Sequence, residues 1–215
     1  MVVTPDSPDT TADLVCGVTT LSTDADGDTV TYTYQWYKDG AVQSTLTTNT
    51  VPAPSTAKGE VWECVVTPGD GTATGSAAQD QVTIQNSAPA APVVAITPDS
   101  PGSGADLVCS ISTQSADADG DAIAYTYQWY RDGVLQSGLT ANTVGAAETA
   151  KDEVWKCVVT PSDGTASGPS AEDEVTVTGS AGGFPAGAIA GIVIGVLVLA
   201  AAAALLWFRH SKKAP

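Results

Sequence analysis

Two short stretches carry three carboxylates each at alternate positions: Asp24-Ala25-Asp26-Gly27-Asp28 and Asp117-Ala118-Asp119-Gly120-Asp121. Carboxylates spaced by two, with a glycine permitting a tight bend, could converge hard oxygen ligands on calcium. Counting from the first Asp, the twelfth position holds Gln35 or Gln128. An EF-hand loop has a bidentate Glu there, so neither stretch is an EF-hand. A solvated Asp/Gly turn copied by duplication accounts for the same residues, and both readings stay open. Calcium is the one candidate cofactor, with Asp24, Asp26, Asp28, Asp117, Asp119 and Asp121 as its candidate ligands.

The cysteines form the second set. Cys16 and Cys64 flank Trp36, and Cys109 and Cys157 flank Trp129 at the same distances. These matched positions suggest two disulfides, Cys16–Cys64 and Cys109–Cys157, each worth roughly 4 kcal/mol by loop-closure entropy. Disulfides imply an oxidising compartment. Zinc is the competing reading, but there is no Cys-x-x-Cys pair, and the single histidine, His210, lies near the end of the chain. No nucleophile elbow or phosphate-cradling glycine loop occurs. The sequence therefore predicts no enzyme.

These residues need elements to position them. Each acidic stretch runs straight into an aromatic run, Val30-Thr31-Tyr32-Thr33-Tyr34-Gln35-Trp36 in the first case. Val30, Tyr32, Tyr34 and Trp36 share one side of a two-residue period, which marks a strand with one buried and one solvated face. Asp39-Gly40 and Asp132-Gly133 suit tight turns with positive φ, so each strand should end in a hairpin. Ala12, Leu14, Cys16 and Val18 alternate likewise, as do Ala105, Leu107, Cys109 and Ile111. Trp62, Cys64 and Val66 share another face, and Val82 and Ile84 begin a further buried row.

An offset of 93 residues superposes the two halves. It maps Thr4-Pro5-Asp6-Ser7-Pro8 onto Thr97-Pro98-Asp99-Ser100-Pro101, Glu60-Val61-Trp62 onto Glu153-Val154-Trp155, and the cysteines onto one another. Short strands, frequent turn residues and no helical period before residue 186 indicate all-β sandwiches. The modules resemble the tandem immunoglobulin-like repeats of prokaryotic cell-surface proteins. The likeness rests on the Asp-x-Asp-Gly-Asp loop, the Tyr-x-Tyr-x-Trp strand, Thr67-Pro68-Gly69-Asp70-Gly71, Thr160-Pro161-Ser162-Asp163-Gly164, and Asn86-Ser87-Ala88-Pro89 with Pro92. It implies spacer or adhesive units. Trp62 and Trp155 stand where the immunoglobulin fold usually has Tyr, and an indole there should donate its N–H to backbone.

The expected organisation is module 1 over 1–85, a stiff linker over 86–92, module 2 over 93–178 and a small-residue hinge over 179–185. The 23 uncharged residues 186–208 follow, long enough to span a bilayer as a helix. Residues 209–215 form a basic tail, cytoplasmic by the positive-inside rule. The fold class is thus two tandem Ig-like β-sandwiches plus one C-terminal transmembrane α-helix. Gly187, Gly191 and Gly195 recur along one face of that helix, as in small-residue contacts that bring two helices together, so a homodimer is expected through it. Val2 aligns with Ala95, and no secretory signal precedes it, so the first module is expected to have lost part of its first strand, with a signal or further repeats ahead of it.

Three of the eight basic side chains lie in the last seven residues. The remaining five face all 24 acidic ones, a formal balance of −19 over residues 1–208. Such a surface repels nucleic acid and anionic headgroups. The function expected is that of a single-pass protein of the cell membrane, with its modules outside as an adhesive or spacer stalk for an extracellular protein or glycan. Two alternatives are a receptor signalling through a membrane partner and a substrate of a C-terminal sorting enzyme.

Overall fold

The computed structural model describes residues 1–179. In the first module the strands are β1 (Val2–Thr4), β2 (Leu14–Gly17), β3 (Thr31–Lys38), β4 (Ala41–Gln43), β5 (Thr50–Val51), β6 (Val61–Gly69) and β7 (Ala78–Thr83). The second repeats them as β8 (Val93–Thr97), β9 (Leu107–Thr113), β10 (Ala124–Arg131), β11 (Val134–Leu135), β12 (Thr143–Val144), β13 (Val154–Ser162) and β14 (Ala171–Thr176). Each module pairs a three-stranded sheet, β1-β2-β5 or β8-β9-β12, with a four-stranded sheet, β4-β3-β6-β7 or β11-β10-β13-β14. The constant-type immunoglobulin pattern instead puts its fourth strand beside the fifth. Here the two-residue turn decides. Asp39 and Gly40 have φ of 49° and 77°, the geometry that suits the twist of a hairpin. Lys38 therefore pairs with Ala41, and β4 stays on the sheet of β3.

Alternation picks the inward face of each strand, but of the row Val30, Tyr32, Tyr34 and Trp36 only Trp36 is fully buried, the other three being half-buried. Leu14, Cys16, Trp36, Val51, Trp62, Cys64, Val66, Val82 and Ile84 are buried between the sheets, and the second module buries the equivalent set. Tyr32 and Tyr34 pack against this core from its edge. Cys16 of β2 is bonded to Cys64 of β6, and Cys109 of β9 to Cys157 of β13, so each bridge ties one sheet to the other across a Cα separation of 6.4 Å. The strand β2 ends at Gly17, which pairs with Val2, whereas β9 runs on to Thr113 because β8 offers partners back to Val93.

Each buried indole finds an acceptor. Trp36 Nε1 donates to the Thr48 carbonyl at 3.0 Å and Trp129 Nε1 to the Ala141 carbonyl at 2.9 Å. Trp62 and Trp155 depart from expectation: their N–H groups go to Glu60 and Glu153, each at 2.9 Å, rather than to backbone. Residues two apart on an extended chain share a face, so the Glu just ahead of the strand already lies beside the ring. Each such Glu also pairs with the cation on the preceding hairpin, Lys38 at 2.9 Å or Arg131 at 3.5 Å. That cation in turn lies over the indole, 5.9 Å or 5.7 Å from its centroid.

Many acids thus serve the fold itself. Asp13, Asp39 and Asp80 accept the backbone N–H of Ala53, Val61 and Val3, and Asp106, Asp132 and Asp173 those of Ala146, Val154 and Ile96. A carboxylate accepting a backbone N–H makes a charge-assisted bond stronger than a neutral one. Among the described residues no helix is long and apolar enough to cross a membrane. Residues 186–208, with Gly187, Gly191 and Gly195, lie outside the described residues, as does the tail.

Candidate functional site

Antiparallel strands send alternate connections to opposite ends of a sandwich. The β1–β2 and β5–β6 connections of module 1, carrying Thr10 and Lys58, therefore leave at one end, its base. The β9–β10 and β13–β14 connections of module 2, carrying Asp117–Asp121 and Asp163, leave at the end that meets that base. The acidic loop of the second copy lies in this junction.

Within the loop, Asp117 Oδ1 accepts the N–H of Asp119 at 2.9 Å and of Asp121 at 3.2 Å, folding the chain around the first carboxylate. Gly120, at φ 77°, makes the bend. One oxygen from each of Asp117, Asp119 and Asp121 comes within 4.8 Å of the other two. The acids repel one another at that range, and module 1 supplies the positive charge. Lys58 Nζ pairs with Asp121 Oδ2 and also donates to Asn86 Oδ1 at 3.1 Å.

Asp119 is held by both oxygens. Its Oδ1 accepts the Thr10 hydroxyl at 2.6 Å and its Oδ2 the Ser87 N–H at 2.7 Å. The Thr10 proton is committed to the carboxylate, so in the 2.6 Å contact between Thr10 Oγ1 and Ser87 Oγ the serine donates. Asn86 Nδ2 donates to Asp163 Oδ2 at 2.7 Å, and Ala90 N–H to the Ala116 carbonyl at 2.8 Å. The linker is packed as well as tethered: Ser87, Pro89 and Pro92 are buried. A methyl group on Gly168 would collide with the Pro89 carbonyl, so glycine is needed there for the close approach of two backbones.

The charges respond to this arrangement. The bond to Asp121, helped by the charges of Asp119 and Asp163, holds the Lys58 ammonium above the ordinary lysine value. The Asn86 amide and the Ala166 and Thr165 N–H groups hold the Asp163 carboxyl below the ordinary aspartate value. Asp117 Oδ2 is buried without a hydrogen-bond partner among the described residues, as is Ser115 Oγ.

The first copy's loop has the same internal wiring, Asp24 Oδ1 accepting the N–H of Asp26 at 2.8 Å and of Asp28 at 3.1 Å. Its Asp26 and Asp28 are exposed. Sequence reasoning singled out both triads as candidate ligands. Among the described residues only Asp117, Asp119 and Asp121 bring their carboxylates together, and sequence reasoning missed the partners of that loop, Lys58, Thr10 and Ser87. The signal available was the pairing of a lone lysine between small residues with an Asn-Ser junction, which is meaningful only once the ends of the sandwich are known.

No family model matches the chain, and no curated protein matches it. Similar solved structures include the selenomethionine-substituted chicken interferon gamma receptor alpha chain, with a TM-score of 0.45 and 11% identity over 82% of this chain and 97% of that one. A segment of two fibronectin type-III domains from chicken tenascin gives 0.37 and 11% over the same shares. The FN1–FN3 domains of chicken CNTN1 give 0.33 and 10% over 82% of this chain and 66% of that one. By its own strand order and bridges, the described part of the chain is all-β, built of sandwiches of the Ig and fibronectin type-III kind with two disulfides.

Proposed function

We propose that the chain is a single-pass surface protein of the cell membrane whose two modules form a stiff spacer or adhesive stalk, related to the tandem immunoglobulin-like repeats of prokaryotic surface proteins. The observation that carries this reading is the junction. Five polar contacts, the packed linker and the Gly168 slot join the base of one module to the loops of the next, and a hinge would need none of them. The apolar run 186–208 with its basic flank supports the anchor, and its glycine face supports a homodimer in the membrane. An extracellular protein or glycan is the partner class for the exposed end, and the role is non-enzymatic.

Two measurements on the full-length chain test this. Spin labels on unnatural side chains at exposed Thr33 and Thr126 should give one narrow inter-module distance, and the protein should stay with membranes in alkaline carbonate, its modules open to external protease. A broad distance distribution would remove the spacer, and release by carbonate would remove the anchor.

A second reading, weak calcium binding by the acidic loops, is favoured by Asp117 Oδ2, a buried carboxylate oxygen left without a donor beside Asp119 and Asp121. Residues Asp117, Asp119 and Asp121 would hold the ion, in competition with Lys58.

A further inference from the structure

We infer that the opposite end of module 1 is a docking socket for the base of another module of this repeat type, joined in tandem ahead of it through a linker like Asn86–Pro92. The inference shares the junction geometry with the stalk reading but does not depend on the membrane anchor.

In the second copy every socket group is engaged. Asp119 takes a hydroxyl and a backbone N–H, Asp121 a lysine, Asp163 an asparagine amide, the Ala116 carbonyl a linker N–H, and Gly168 leaves room for the linker proline. The offset of 93 places Asp26, Asp28, Asp70, Thr23 and Gly75 at these positions in module 1. The hydrogen bonds that anchor their loops match those of the engaged copy, although among the described residues only the second triad draws its carboxylates together. Asp24 folds the loop as Asp117 does. Asp70 Oδ1 accepts the N–H of Thr72 and Ala73 at 2.6 and 2.7 Å, as Asp163 Oδ1 does those of Thr165 and Ala166 at the same two distances. Gly75 donates to the Pro68 carbonyl at 2.9 Å, and Gly168 to the Pro161 carbonyl at 3.0 Å.

The acids at this end have a structural precedent for their ligand in the same chain: a lysine ammonium, a threonine hydroxyl and a serine N–H presented together. A free cation would satisfy the charge and can take a backbone carbonyl such as that of Thr23 as a ligand, but it would leave the slot at Gly75 unused. The base of a module together with the linker that follows it supplies all of these at once, which is why a module joined in tandem is the occupant.

The test extends the full-length chain by placing residues 1–94 ahead of Val2, which continues the 93-residue register. A zero-length carbodiimide is then applied, and the isopeptide bonds are mapped by mass spectrometry. The Lys58–Asp121 bond within the original pair serves as the internal standard. The expected result is a second bond, from the added Lys58 to Asp28, in comparable yield. Asp28→Asn should abolish it and leave the standard intact. The inference is overturned if the standard forms and the second bond does not. It is overturned also if the unextended chain forms the Asp28 bond between separate molecules with equal yield, since the socket would then take a base in trans. Neither result bears on whether the chain stays in membranes, so failure here leaves the anchor untouched.

Discussion

Lys58 of the first module reaches across the junction to pair with Asp121 of the second, and Asn86 of the linker bridges that lysine to Asp163. The pair is partly solvated, with side chains 38% and 32% exposed, and exposed pairs contribute little by themselves. Asp119 is the stronger tie, because Ser87, only 2% exposed, has its N–H satisfied by that carboxylate. Asp119→Ala should leave this N–H buried and unpaired, at a cost of about 1–3 kcal/mol. The expected outcome is a broadened Thr33–Thr126 label distance with both disulfides intact, whereas Lys58→Ala should broaden it less and mainly at low salt.

Gly168 offers a test that involves no charge. Gly168→Ala puts a methyl group into the Pro89 carbonyl, so the linker must lift away from the β13–β14 turn. The inter-module distance should change while each core keeps its packing, read as an unchanged tryptophan near-ultraviolet dichroism. Gly138→Ala, at a glycine with open space around it, should change neither.

Much of this was legible in the sequence, for reasons that particular residues make plain. Two-residue periodicity picked out Trp36, Cys64 and Val82 as inward-facing, each in its own strand, because a strand has only two faces. The Asp-Gly pairs marked hairpins because few residue pairs tolerate positive φ twice in succession. The indole of Trp62 went astray because its acceptor, Glu60, is set by which side chains share a face and not by the identity of the ring. The cation for Asp121 was hidden for a different reason: Lys58 is 63 residues away, and only the alternation of strand direction brings their two connections to one junction.

Acid and alkali should loosen different parts of the structure. Burial pushes the Glu60 carboxyl up, but the Lys38 ammonium, the Trp62 indole and the Ala57 N–H outweigh it and hold it below the ordinary value. Its contribution is therefore present above the unfolded carboxylate range and is lost as the pH falls through the lower folded value. Asp163 follows the same sign at the junction. Lys58 has the opposite sign: its contribution is complete below the ordinary lysine value and is lost as the pH rises through the higher folded one. The label distance should accordingly be narrowest between these limits and broaden in strong acid and strong alkali. Glu60→Ala should cost about 1.5–3 kcal/mol, the worth of hydrogen bonds to a charged group, and flatten the acid limb of the first module's melting profile.

Each disulfide closes a loop between cysteines 48 apart in sequence and ties the two sheets of its own sandwich. Replacing Cys109 and Cys157 together by Ala should lower the second module's stability by about 2–5 kcal/mol. Calorimetry should show one transition moving down while the other, that of the module bridged by Cys16 and Cys64, shifts far less. Equal shifts in both would mean that the junction makes the two modules a single cooperative unit.

The calcium reading meets a competitor in the same chain. In the second loop Lys58 already brings a positive charge to Asp121, and the two oxygens of Asp119 are hydrogen-bonded to Thr10 of module 1 and Ser87 of the linker. Of the three carboxylates, Asp117 has an oxygen, Oδ2, that is buried without a hydrogen-bond partner among the described residues. A divalent ion entering here must displace the ammonium, so Lys58→Ala should strengthen binding even as it weakens the junction. Binding to the folded state alone stabilises by about 2.7 kcal/mol at a hundredfold excess over the dissociation constant. For a domain of this size each kcal/mol moves the midpoint by about 4–8 °C, so millimolar calcium should report even a weak site. Magnesium should do less, since it sheds water reluctantly and demands octahedral geometry. The expected order of calcium-induced shifts is Lys58→Ala above wild type, with Lys58→Ala plus Asp117→Asn at or below wild type. If Lys58→Ala melts at the same temperature in calcium and in chelator at matched ionic strength, the second loop takes no metal, and the lysine is its cation.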